Sequence, residues 1–258
     1  MNEKFKDLSK ERKIVAILDK IVNNLILMTL VPLLLYGIYG IWDSQQILSS
    51  ASSDNYATYR PTDKPLSFRE LCKLNPEVFG WITVFDTHID YPLVQGEDNS
   101  KYVNTDVMGN FSLSGSIFLD YRNQKDFSDF NNVIYGHHMD KNAMFGELEK
   151  YADADFFYKH LKGEIYYSDE WHSMEFFAFM SVDAYNPTMY DVYIKDKKNK
   201  ERFLQYVKKH SIQYANIDTK TIDHILVLST CSTDSTNGRH LLVGRIGGKL
   251  AKNSKGAR

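Results

Sequence analysis

The stretch Leu226-Val-Leu-Ser-Thr-Cys231 is an apolar run that ends at a cysteine. It is followed by the polar loop Ser232–Gly238, by Arg239 and by the apolar run His240-Leu-Leu-Val-Gly-Arg245. Two such runs joined by a short polar loop predict an antiparallel pair of strands, so we expect Cys231 and Arg239 to meet at one end of a sheet. A positive charge beside a thiol favours the reactive thiolate and can also stabilise an oxyanion. The alternative is a buried cysteine without chemistry, since cysteine is among the most buried residue types.

A second segment, Phe130-Asn-Asn-Val-Ile-Tyr-Gly-His137-His138-Met139, supplies histidines. Its apolar part predicts a short strand, Val133–Tyr135, that ends in a glycine and two histidines. Cysteine catalysis needs a proton shuttle, which is commonly a histidine from a distant part of the chain. The alternative is that this histidine has a structural role or is simply exposed to solvent, as isolated histidines often are. A metal site is disfavoured because the two adjacent histidines lack further ligands at suitable spacing.

The histidine after one strand, the segment Leu228-Ser-Thr-Cys231 and the arginine that opens the next strand together resemble the sortases, the cysteine transpeptidases of Gram-positive cell surfaces. The resemblance extends from Leu66 to Lys249. The Tyr-Gly-His-His-Met and Leu-Ser-Thr-Cys segments are similar to class B members, in which the first threonine of the commoner motif is often replaced. The resemblance implies a mostly β fold: a closed eight-stranded β-barrel with an N-terminal helix and a helix before the cysteine strand.

The same resemblance implies catalytic roles for three residues. Cys231 would be the nucleophile, and His137, which directly follows the glycine, would be the proton shuttle rather than His138. Arg239 would donate hydrogen bonds to the oxyanion or to a substrate carbonyl. Arg245 is the rival arginine, but it lies about 20 Å further along an extended strand. Neither a cofactor nor a metal is expected.

Substrate-binding residues are also predicted from the resemblance. The segment Gln95-Gly-Glu-Asp-Asn-Ser-Lys-Tyr-Val103 is similar to the class B segment that lines the substrate groove, although an ordinary polar loop is the alternative. The two residues before the cysteine are expected to contact the substrate or orient the thiol, with packing alone as the alternative for Thr230. Two tyrosines before the predicted long helix are candidates for the groove floor. The six predicted substrate-binding residues are Asn99, Val103, Tyr185, Tyr190, Ser229 and Thr230.

The amino-terminal region contains an apolar run from Leu25 to Trp42 without a charged residue. Eighteen helical residues span about 27 Å, close to the ~30 Å hydrocarbon core of a bilayer. Six basic residues precede the run and none follows it until Arg60. The positive-inside rule therefore places the amino terminus in the cytoplasm. A cleaved signal peptide, with small residues at Ser49-Ser-Ala51, and a buried core helix are the alternatives.

These patterns predict five regions and a single-pass protein of the cell membrane whose catalytic domain lies outside the cell. The regions are a cytoplasmic tail (1–20), a transmembrane anchor (21–42), an extracellular stalk (43–65), a catalytic domain (66–250) and a C-terminal tail (251–258). A net charge of −2 gives no indication of a nucleic-acid partner. Two cysteines do not form a disulfide scaffold for a domain of this size. We expect Cys72 to be a small apolar residue on the first helix of the catalytic domain.

Apolar alternation and turn signals predict many short strands and few helices, which is typical of a closed barrel or a sandwich. The predicted strands are Gly80–Val84, Asp90–Leu93, Ser116–Leu119, Asn132–Tyr135, Gly163–Ser168, Met174–Tyr185, Ile225–Thr230 and Leu241–Ile246. The predicted helices that follow the first one are Phe145–Tyr151, Ala154–His160 and Asn199–Tyr214.

The function implied by the resemblance is that of a membrane-anchored cysteine transpeptidase. It would cut a C-terminal sorting signal, Asn-Pro-x-Thr-(Asn/Gly)-like or Leu-Pro-x-Thr-Gly-like, after threonine. Its partners would be surface proteins that carry the signal, a peptidoglycan precursor or a pilin as the acceptor amine, and the lipid bilayer. The alternatives are a cysteine peptidase that hydrolyses wall or surface peptides, a pilin-polymerising sortase, and an inactive binding barrel.

Overall fold

The computed structural model describes residues 2–62, 66–231 and 237–250, without the side chains of residues 2–11, Leu66 and Cys231. The chain divides into two compact units, Met1–Gln46 and Ile47–Arg258. The predicted C-terminal tail, 251–258, lies outside the described residues.

The first unit is helical. Helix α1 (Asn2–Ser50) contains the whole predicted anchor and continues through Pro32. Its most apolar 18-residue window has a mean hydropathy of 2.0, and none of that window is buried. Among the described residues, α1 is the one helix long and apolar enough to cross a membrane.

Nine strands in the described part of the chain form one sheet, and eight of them close into a barrel. The strands are β1 (Val78–Val84), β2 (Asp90–Val94), β3 (Ile117–Leu119), β4 (Asn131–Tyr135), β5 (Lys162–Tyr167), β6 (Glu170–Asp183), β7 (Gln213–Tyr214), β8 (His224–Cys231) and β9 (Gly238–Lys249). Around the barrel they are ordered β1, β2, β3, β4, β8, β9, β6 and β5, and β5 pairs with both β6 and β1 to close the ring. The two-residue β7 adds to β6. The predicted eight-stranded barrel is confirmed.

Helices and short helical turns connect the strands. After α1 come α2 (Leu66–Leu74), α3 (Ala154–Lys159) and α4 (Lys197–His210), with 3₁₀ turns at Ser53–Tyr59, Lys101–Val103, Asp140–Asn142 and Gly146–Ala152. The segment predicted as the helix Phe145–Tyr151 therefore forms a 3₁₀ turn. The long helix before the cysteine strand is present, but it ends at His210 rather than Tyr214, because Gln213 and Tyr214 pair with β6.

Strand β8 is buried on both faces, which explains its uninterrupted apolar sequence. Leu226 and Leu228 belong to one buried cluster, shared with several other barrel strands. Val227, on the opposite face, belongs to a second cluster that includes Phe203 and Val207 of α4. Alternate side chains of a strand point to opposite faces, so the apolar run joins the barrel core to the packing of α4.

The region predicted as a stalk is partly folded onto the barrel domain, since the second compact unit begins at Ile47. Ala51 and Tyr56 are buried. The hydroxyl of Tyr91 donates to the carbonyl of Ala51 at 2.9 Å, and burial raises the pKa of Tyr91 to about 12, which keeps this donor protonated. The guanidinium of Arg60 pairs with Asp90 at 3.1 Å and with Glu164 at 2.7 Å. The polar composition of this segment gave no indication that it packs against the barrel.

Candidate active site

Two parallel strands bring the predicted histidine and cysteine to the same edge of the barrel. Strands β4 and β8 pair in parallel with Tyr135 opposite Ser229. The pairing continues for one more hydrogen bond, in which the N–H of Gly136 donates to the carbonyl of Ser229 at 3.1 Å. Because parallel strands end on the same side, His137 leaves β4 where β8 ends at Cys231.

The antiparallel pair β8–β9 places the predicted arginine opposite the cysteine. Cys231 and Arg239 are register partners across this pair, as the sequence predicts. The side chain of Cys231 and residues 232–236 lie outside the described part of the structure. Arg239 is half-buried, and its Nη1 donates to the carbonyl of Gly238 at 2.8 Å.

The ring of His137 is held by a backbone carbonyl. Its Nε2 lies 2.7 Å from the carbonyl oxygen of Val103. Since a carbonyl oxygen only accepts hydrogen bonds, Nε2 carries the hydrogen in this contact. The ring of His138 has a different partner, because its Nε2 lies 3.0 Å from Oε2 of Glu149. The two adjacent histidines thus face different surroundings.

A groove of about 440 Å³ opens beside these strand ends. It is lined by Asn99, Val103, Phe118, Arg122, Tyr135, Gly136, His137, Ala184, Tyr190, Ser229, Thr230 and Arg239. Five of the six predicted substrate-binding residues are in this lining. Tyr185 is outside it: this side chain is 80% exposed, and its backbone N–H donates to Asp183 in a turn after β6.

The wall formed by β8 and the loop after β6 is organised by hydroxyl groups and stacked rings. The hydroxyls of Tyr190 and Ser229 are 2.9 Å apart. The ring of Tyr190 stacks on Tyr135 with 6.2 Å between centroids. Among the described residues, the buried Oγ1 of Thr230 has no hydrogen-bond partner.

Several groove residues were not predicted from the sequence, and Arg122 with its partner Asp120 is the most notable. Nε of Arg122 donates to Oδ1 of Asp120 and Nη2 to Oδ2, each at 2.8 Å. Burial alone would raise the pKa of Asp120, but the hydrogen bonds from Arg122 and Asn99 and the guanidinium charge hold that pKa below its ordinary value. Asp120 and Arg122 belong to the tripeptide Asp-Tyr-Arg directly after the short strand β3. Nothing in the spacing of this tripeptide indicates that it lies beside a groove.

Other candidates have structural partners. Arg245, the rival of Arg239, is paired with Glu175 through Nη2 at 2.7 Å. Its register partner on β8 is Ile225, six residues before Cys231. Within the described residues, no group of three or more His, Cys, Asp or Glu side chains is placed to hold a metal ion.

Comparison with known proteins agrees with this geometry. The Sortase domain family model matches residues 82–246. Sortase B of Listeria monocytogenes is 37% identical over 184 residues, which cover 69% of this chain and 73% of that protein. The structure of a mutant form of Clostridium perfringens sortase B matches with a TM-score of 0.71 and 29% identity, over 75% of this chain and 96% of that chain. A Streptococcus pyogenes class B sortase involved in pilus biogenesis matches with a TM-score of 0.65 and 41% identity, over 71% of this chain and 99% of that chain. The chain therefore belongs to the sortase family of cysteine transpeptidases, as a member of class B.

Proposed function

We propose that this protein is a membrane-anchored transpeptidase that cleaves a C-terminal sorting signal after threonine and transfers the new carboxyl end to a cell-surface amine. Class B membership supports the transpeptidase chemistry. The observation that carries the proposal is the meeting of three backbone positions at one edge of the barrel: His137 after β4, Cys231 at the end of β8 and Arg239 opposite it on β9. His137 and Arg239 both line the groove at this edge.

The first half of the reaction forms a thioacyl-enzyme. A free thiol with a pKa of about 8.5 is only ~3% thiolate at pH 7, so the cationic side chain of Arg239 and a protonated His137 would favour the ionised form. The thiolate of Cys231 attacks the threonine carbonyl carbon and forms a C–S bond. Arg239 donates to the resulting oxyanion or to a neighbouring substrate carbonyl. The C–N bond then breaks, and the leaving amine takes a proton from His137.

The second half releases the enzyme. An acceptor amine attacks the thioester carbon, a new C–N bond forms, and the C–S bond breaks to regenerate the thiolate of Cys231. The proton lost by the acceptor amine returns to His137, which restores the starting state. Water in place of the amine would make the same site a peptidase.

The volume and the lining of the groove support a peptide substrate. Aromatic rings of Phe118, Tyr135 and Tyr190 offer apolar surface to a proline, and Asn99 and Ser229 offer neutral polar groups. Such a lining fits an Asn-Pro-x-Thr or Leu-Pro-x-Thr core, in which a proline lies beside polar and apolar positions.

The test is turnover of fluorogenic peptides with both cores by the full chain in detergent micelles, with and without a short glycine peptide as the acceptor. We expect cleavage after threonine, a new amide product when the acceptor is present, and loss of both in Cys231→Ala. A product that is always the free acid would show a peptidase. Cleavage by Cys231→Ala would rule out the proposed nucleophile.

A second candidate function, the joining of pilin subunits, is favoured by the Streptococcus pyogenes relative involved in pilus biogenesis. The chemistry is the same, but the acceptor is then an amine of a pilin. Competition between a lysine-containing pilin-like peptide and a short glycine peptide in the same assay separates the two: the amide product that predominates identifies the acceptor.

A further inference from the structure

A buried carboxylate behind the groove accepts hydrogen bonds from several groove residues. Asp120 follows β3, and its side chain is fully buried. Its Oδ1 accepts from the backbone N–H of Arg122 at 3.0 Å and from Nε of Arg122 at 2.8 Å. Its Oδ2 accepts from Nη2 of Arg122 at 2.8 Å, from Nδ2 of Asn99 at 3.0 Å and from the hydroxyl of Tyr135 at 3.0 Å.

These five contacts require an ionised carboxylate. Both oxygens of Asp120 act as acceptors, and two of the donors come from the charged fork of Arg122. Guanidinium–carboxylate pairs of this bidentate kind are among the stronger hydrogen bonds in proteins. Neither an amide nor a protonated carboxyl group can accept all five hydrogen bonds. Each of these groups carries a hydrogen of its own, which would point at one of the donors.

The three partners of Asp120 all line the groove, whereas Asp120 itself does not. Two further links extend the network. The carbonyl of Tyr190 accepts from Nη2 of Arg122 at 3.3 Å. The Oδ1 of Asn99 accepts from the backbone N–H of Tyr121 at 3.0 Å, which fixes the orientation of the Asn99 amide. One buried anion thus restrains three side chains of the groove lining, which come from different segments of the chain.

We propose that Asp120 is a positioning residue for substrate binding: its carboxylate holds Asn99, Tyr135 and Arg122 in place, so that the groove is formed before the sorting signal arrives. Asp120 touches neither the substrate nor the reacting atoms. A groove already in place spares the substrate the cost of ordering these side chains. The inference rests on the proposed function, because it concerns the same groove, and it adds a residue outside the lining that sets the affinity for the signal.

The test is Asp120→Asn in the full chain, with steady-state kinetics on the peptide that the wild-type protein cleaves best. The substitution keeps the shape but places an amide N–H₂ against N–H and O–H donors. Because loosened side chains must be ordered again each time the substrate binds, we expect kcat/KM to fall by roughly 10- to 100-fold. The loss should lie in KM, with kcat changed by less than about threefold, as expected when uniform binding is lost.

A matched control separates positioning from general stability. Glu147 is a second buried carboxylate, and it accepts from the backbone N–H of His88 at 2.8 Å and from Nζ of Lys150 at 3.0 Å, outside the groove lining. Glu147→Gln should lower the melting temperature as Asp120→Asn does, yet leave KM within about twofold of wild type. Equal increases of KM in both variants would overturn the proposal.

A second variant guards against misfolding of Asp120→Asn. Arg122→Lys keeps the positive charge but loses the fork, so it cannot bind both carboxylate oxygens in the same way. We expect KM to rise here too, with an unchanged rate of Cys231 alkylation by a small thiol reagent. A wild-type KM in every folded variant would overturn the inference, whereas a wild-type protein that cleaves no peptide would instead refute the proposed function.

Discussion

At the scale of single residues, Gly136 decides where His137 can lie. A Cβ atom at this position would be 2.5 Å from Cδ1 of Ile117 and 2.7 Å from Cδ2 of Phe145. Real Cβ contacts are longer than this, so a Cβ atom here would force the side chains of Ile117 and Phe145 to shift. The backbone carbonyl of His137 accepts a hydrogen bond from the N–H of Phe145 at 2.9 Å. The close packing of Gly136 against Phe145 therefore also positions the backbone of His137.

We predict that Gly136→Ala destabilises the protein by about 1–3 kcal/mol, as overpacking in a core does, and lowers kcat/KM by displacing His137. Gly248→Ala is the matched control, since nothing lies within 4 Å of a Cβ at that position. Denaturant unfolding and peptide kinetics measure both effects. A wild-type kcat/KM in Gly136→Ala would contradict the assignment of His137 as the proton shuttle placed by this glycine.

Asp120 also gives a pH dependence to stability. Its pKa in the folded protein is below the ordinary value, with burial opposed by the bonds and charge of Arg122 and by Asn99. The stability that the ionised Asp120 side chain gives to the folded state is therefore fully present above the unfolded pKa of about 3.9. This stability is lost as the pH falls through the lower pKa of the folded protein. Unfolding free energies at pH 3 and pH 6 should differ less in Asp120→Asn than in the wild type. An equal difference in both proteins would contradict this account.

At the scale of elements, the sequence was most informative where burial and chemistry impose a pattern. The apolar run of β8, the cysteine at its end and the arginine that faces it across the hairpin were all predictable, because a doubly buried strand must be apolar. Helix α4 was predictable because Phe203, Tyr206, Val207 and His210 recur at helical spacing, and the structure buries Phe203 and Val207 of this face. The role of Asp120 was not predictable from the sequence, because a buried ion pair depends on neighbours that only the folded chain brings together.

The packing of the segment between helices α1 and α2 against the barrel domain was also not predicted. This packing leads to a testable prediction. A chain that starts at Ile47 should keep the buried Tyr56 and the ion pairs of Arg60, whereas a chain that starts at Leu66 loses them. We expect the shorter chain to melt at least about 5 °C lower, since a loss of 1 kcal/mol corresponds to roughly 2–4 °C in a domain of this size. Equal melting temperatures would show that the segment contributes nothing to the fold.

At the scale of the whole molecule, the candidate site is assembled from sequence-distant parts. His137, Arg239 and most of the predicted substrate-binding residues line one groove, although they come from segments that no local pattern connects. Tyr185 shows the limit of such reasoning: the sequence predicted both Tyr185 and Tyr190 in the groove, but the described lining contains Tyr190 and not the exposed Tyr185.

The apolar helix α1 predicts attachment to membranes. The full chain should sediment with lipid vesicles after an alkaline carbonate wash, because an apolar window of this length matches the hydrocarbon thickness. The chain from Ile47 should stay in the supernatant. Recovery of the full chain in the supernatant would contradict a membrane span.

The central claim is that Cys231 forms a thioacyl intermediate with the sorting signal. The most direct measurement is the intact mass of the full chain after brief reaction with a signal peptide in the absence of an acceptor amine. We predict a mass increase equal to the peptide portion that ends in threonine, localised to Cys231 by digestion and absent from Cys231→Ala. Addition of the acceptor amine should remove the adduct. A peptide that is cleaved without any adduct, or an adduct that persists in Cys231→Ala, would contradict the account.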